Sequence, residues 1–169
     1  MRSDSFKLSP RLRAWFYGTV GVLFITGVGW WFFDILGHGD GNFGEFAAIA
    51  RVWLLKLHGA AAMLTLIVLG TLIPLHVRRG WRANLNRTSG LAMSALCILL
   101  IVTGYALYYA GGENLRTFAS GAHIALGLAL PVLLVWHIVR GRRARRARFK
   151  AGSVPRAESS GLTTAAKLH

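Results

Sequence analysis

Val52–Val77 reads VWLLKLHGAAAMLTLIVLGTLIPLHV. Its only ionisable residues are Lys56 near the start and two histidines, His58 and His76. A helix that crosses the ~30 Å hydrocarbon layer of a membrane needs ~20 mainly apolar residues, and this run is long enough. Its glycines, Gly59 and Gly70, would weaken a helix in water but are at home in membrane helices, where small residues allow close packing.

Three further runs have the same character: Ala14–Leu36, Thr88–Ala110 and Leu115–Val139. Short polar stretches between them carry nearly all the charge. The chain has 169 residues, 54% of them hydrophobic, with a mean hydropathy of +0.46. That is high for a soluble domain of this size. The sequence therefore predicts an all-α integral membrane four-helix bundle. Its domain covers residues 1–141 and is followed by a basic, disordered tail over 142–169. The first run lacks a small-x-small cleavage site, so it reads as a spanning helix and not as a removed leader.

Charge predicts the orientation. Of the 20 Lys and Arg residues, 17 fall in the first 13 residues, in Arg78–Arg87, or from Arg140 onward. The positive-inside rule then puts both termini and the 78–87 connection in the cytoplasm. Trp15, Trp81 and Trp136 fall at the inner boundary, with Trp30, Trp31 and Trp53 at the outer one, as an aromatic belt requires. The net charge of +14 is read as topology-setting and lipid-facing, so the expected partner is the bilayer and not nucleic acid.

Histidines carry the chemistry. Ionisable groups inside membrane helices are costly and mark functional sites, and four of the six histidines lie in the runs: His58, His76, His123 and His137. His38 lies in a loop and His169 ends the tail. At 100° per residue the step from 58 to 76 makes ~5 full turns, and the step from 123 to 137 falls ~40° short of four, so each pair shares a face. The second and fourth helices run in the same direction. His58 and His123 are thus expected near the outer surface, and His76 and His137 near the inner one.

Two histidines facing each other across a bundle can hold one metal axially, and neutral imidazole is a good ligand for haem iron. Small residues would make room for a macrocycle: Gly59 beside His58, Gly127 after His123, and Gly90 and Gly104 in the third helix. Cations for the haem propionates stand at both edges, with Arg78, Arg79 and Arg140 inside and Arg51 and Arg116 outside. The single cysteine, Cys97, is mid-membrane and no CxxCH is present, so any haem is bound non-covalently.

Over about Val52 to Arg140 this pattern resembles the di-haem membrane b-type cytochromes. Among these are the cytochrome b of quinol-oxidising complexes and the small cytochrome b subunits of hydrogenases and formate dehydrogenases. The 14-residue spacings of His123/His137 and of Gly90/Gly104 match the quinol-oxidising class closely. The resemblance implies two haems b, the outer on His58 and His123 and the inner on His76 and His137. It implies an electron-transfer subunit of an oxidoreductase complex, not an enzyme on its own, in a bacterial inner membrane. Electrons would pass between a periplasmic carrier or redox partner subunit and quinone or an inner acceptor. The departure is the 18-residue spacing in the second helix, ~27 Å against ~21 Å in the fourth, which leaves His58 about one turn too high unless Pro74 and Pro131 bend their helices. Two other readings of the histidines are a haem-free transition-metal transporter or sensor and a passive membrane anchor.

Overall fold

The computed structural model describes residues 9–37, 44–82 and 87–152, and every element among them is helical. They form α1 (Pro10–Gly37), α2 (Gly44–Leu72), a π-helical turn (Ile73–Val77), α3 (Arg78–Arg82), α4 (Arg87–Tyr109) and α5 (Glu113–Gly152). The start of α1 follows from local chemistry. Ser9 Oγ accepts from the Leu12 amide at 3.2 Å, and Pro10, with no N–H to leave unpaired, takes the first helical position. Glu45 and Glu113 sit in the first turns of α2 and α5, where a carboxylate meets the positive end of the helix dipole.

Four of these helices, α1, α2, α4 and α5 through Ala144, are long and apolar enough to cross a membrane, with mean hydropathies of 1.7 to 2.1. Their side chains are distributed as in a membrane protein. Ile25, Met63, Ile67 and Val132 point outward, each more than 60% exposed, while Thr19, Thr26, Thr65 and Ser89 are buried. Water would penalise so much continuous apolar surface. Lipid does not, and it leaves helix association to close packing and interhelical hydrogen bonds. The protein is a multi-pass membrane protein.

The helices form two antiparallel hairpins. Along α1–α2, Asp34 meets Arg51 at 2.7 Å, Phe33 meets Phe46 edge-on at 5.8 Å, and Thr26 meets His58. Along α4–α5, Thr103 meets His123 and Ser89 meets His137. The backbones pack closely within each hairpin. Between hairpins they approach only thinly, chiefly where α1 passes α5. A seam therefore runs between the two halves.

The helices outrun their expected limits. α2 begins at Gly44, eight residues before Val52, and α5 continues to Gly152. The stretch after Arg140 is rich in arginine and alanine, both strong helix formers, so residues 142–152 extend α5, whereas the sequence reading placed a disordered tail from 142. Residues 153–169 lie outside the described residues. The two prolines behave differently. α5 stays one α-helix across Pro131. At Pro74, which lacks an N–H and crowds the carbonyl four residues back, α2 gives way to the π turn Ile73–Val77. That turn breaks the regular 100° step on which the shared face of His58 and His76 was based.

Candidate metal centre

His58 lies on α2 opposite Thr26 of α1. Its Nδ1 is 3.0 Å from Thr26 Oγ1, and that oxygen is 2.7 Å from the Val22 carbonyl, with Leu23 O next at 3.2 Å. A hydroxyl has one proton to give. Here it goes to the helix carbonyl four residues back, as is common for threonine in an apolar helix. The Thr26 oxygen is then free to accept an N–H from His58 Nδ1, the tautomer that leaves Nε2 for a metal. The ring rests on the backbone of Gly27, where an added Cβ would come 3.2 Å from His58 Cε1.

The second hairpin repeats this arrangement. His123 Nδ1 is 2.9 Å from Thr103 Oγ1, which donates to Leu99 O at 2.7 Å. A Cβ at Gly104 would lie 3.3 Å from His123 Cε1. The same tautomer at His123 would put the ring proton on Nδ1, against Thr103 Oγ1, and leave Nε2 for a metal.

Across the seam the two rings face each other, their centres 6.2 Å apart and their planes at 77°. A metal–imidazole bond is ~2 Å long and the ring centre lies ~1 Å behind the nitrogen, so two imidazoles trans on one metal have centres ~6 Å apart. The separation fits a pair of histidines on one iron. An edge-on ring contact alone also tolerates the distance, but it does not require both Nδ1 atoms to be tied back to their own hairpins. Among the described residues, no three of His, Cys, Asp and Glu converge. Two imidazoles are a sparse set for a bare ion, whereas a porphyrin supplies the other ligands itself.

The remaining expected site residues fall in several groups. His137 Nδ1 is 3.1 Å from Ser89 Oγ, and Ser89 is fully buried. His76 has its backbone in the π turn, but its side chain, like that of Arg79 and all of His38 and His169, lies outside the described residues. Gly59, Gly90 and Gly127 border open space, whereas Gly104 packs directly on the His123 ring. Arg51 is engaged with Asp34. Arg140 lies over Trp136 at 5.3 Å, and Arg78 and Arg116 are exposed.

Sequence reasoning missed Thr26, Gly27, Thr103 and Ser89. A signal was present: Ile25-Thr26-Gly27 and Val102-Thr103-Gly104 place the same β-branched-Thr-Gly triplet ahead of each histidine-bearing helix. Compared with known protein families, curated proteins and solved structures, the chain finds no match in any of the three.

Proposed function

We propose that this protein is a membrane b-type cytochrome, an electron-transfer subunit that holds haem between its two helical hairpins. One observation carries the reading: His58 and His123, each in contact through Nδ1 with a threonine of its own hairpin, have ring centres 6.2 Å apart across the seam. A bis-imidazole haem accepts and gives up one electron at a time. The chain's own part is to present two neutral imidazoles, keep them apart, and surround them with apolar helix faces.

A second haem would be held by His137, on Ser89, together with His76. The positive-inside rule places this second pair at the cytoplasmic edge and the His58/His123 pair toward the other side. Two haems at different depths give a path across the bilayer, between a redox partner outside and quinone or an acceptor inside. The arginine bias and the tryptophan positions support both termini inside, and the location we propose is a bacterial inner membrane.

The test is a visible spectrum of detergent-purified protein from haem-replete cells. Sharp reduced α-band absorbance is expected, with pigment that acid–acetone extracts because no covalent link is made. A colourless preparation contradicts the proposal and revives a haem-free metal transporter.

A further inference from the structure

We infer that Thr26 and Thr103 are positioning residues that set the electron-donating strength and the ring angle of the two iron ligands. The inference rests on the cytochrome reading of the same site. Each hydroxyl lies 2.7 Å from a backbone carbonyl and 3.0 or 2.9 Å from a histidine Nδ1; with Nε2 on iron, Nδ1 carries the ring proton and the threonine oxygen accepts it. A hydroxyl that donates strongly is polarised into a better acceptor. Drawing the Nδ1 proton outward pushes electron density toward Nε2, which raises the basicity of the ligand and favours ferric over ferrous iron.

The same bond restrains rotation. The threonine oxygen is pinned by its contact with the helix carbonyl. The imidazole therefore has a fixed acceptor on one edge, and it has the backbone of Gly27 or Gly104 against Cε1 at 3.2 or 3.3 Å from a Cβ position. Both rings are held this way, each by its own hairpin, and the result is the 77° angle between their planes. Serine keeps the hydroxyl and loses the methyl. Valine keeps the shape and loses the acceptor. The two substitutions separate a hydrogen-bonding role from a packing role.

The experiment uses full-length protein with Thr26→Val, Thr103→Val, Thr26→Ser and Thr103→Ser, read by haem content, redox titration and low-temperature EPR of the ferric state. Each valine variant is expected to bind haem roughly 10- to 100-fold more weakly. Its midpoint potential should move upward, and its g-values should change as the ring is freed to turn. Each serine variant should match the wild type in all three. Valine variants with full haem and unchanged potential and g-values overturn the inference. So do serine variants that fail in the same way as valine, since the methyl would then be what matters. If valine abolishes haem binding while serine retains wild-type values, the hydroxyl role stands. A wild-type protein without pigment instead removes the cytochrome reading itself.

Discussion

The two hairpins hold their histidines alike but are built differently. In α4–α5, Ser89 and Thr103 are spaced 14 residues apart, as are His123 and His137, and Thr103 contacts His123 as Ser89 contacts His137. Both helices are continuous, so one regular ladder fixes both histidines. In α1–α2, Thr26 grips His58, but the partner histidine is 18 residues away and beyond Pro74, where the helix passes through a π turn. The level of His58 is therefore set locally, by Thr26 and Gly27, and not by its spacing from His76. The offset of one turn expected for the outer pair does not separate the rings, because His58 lies level with His123.

Removing either histidine is expected to give the largest effect. His58→Ala and His123→Ala should each remove the same haem, leaving about half the pigment of the wild type, as measured by pyridine haemochrome per protein. Unequal losses would show that the hairpins do not share a centre.

Gly27→Ala and Gly104→Ala come next. Their new Cβ atoms would press on the two rings at 3.2 and 3.3 Å, and overpacking of this kind costs about 1–3 kcal/mol. Lower haem occupancy and a broadened α-band are expected in both. Gly18→Ala and Gly121→Ala face open space and serve as controls that should stay close to wild type. Equal effects at all four positions would mean that the glycines act only through helix packing.

A smaller effect is expected at Ser89. Ser89→Ala removes a hydroxyl partner of His137 Nδ1, and loss of such an outer partner weakens metal binding about tenfold or more. It should affect only the haem that survives in His58→Ala, so the double variant His58→Ala/Ser89→Ala reads it cleanly in a haem titration. The smallest effect is at the Asp34–Arg51 pair, which is 30% exposed on each side. Ion pairs of that kind contribute about 0–1 kcal/mol, so Asp34→Asn should lower the thermal midpoint slightly and leave the spectrum unchanged.

Much of this molecule is legible in the sequence because lipid imposes long apolar helices, and four runs of hydrophobic residues reveal them directly. The pairing of His58 with His123 is legible too, since both lie on helices of the same direction. The threonine partners are not. Their contact depends on how deeply α1 and α4 sit against α2 and α5, and helix periodicity says nothing about that register. Gly104 shows the same limit: its spacing from Gly90 pointed to space for a cofactor, whereas it packs against the His123 ring. The π turn at Pro74 was foreseeable as a disturbance but not as a change of helix type, because a proline can also kink a helix or, as at Pro131, leave it unbroken.

The central claim is that His58 and His123 hold one and the same haem. Haem per protein in wild type, in His58→Ala, in His123→Ala and in the double variant tests it most directly. A shared haem predicts that the double variant loses no more pigment than either single variant, about half of the total. If the double variant loses the sum of two separate losses, the histidines serve different centres and the account is wrong.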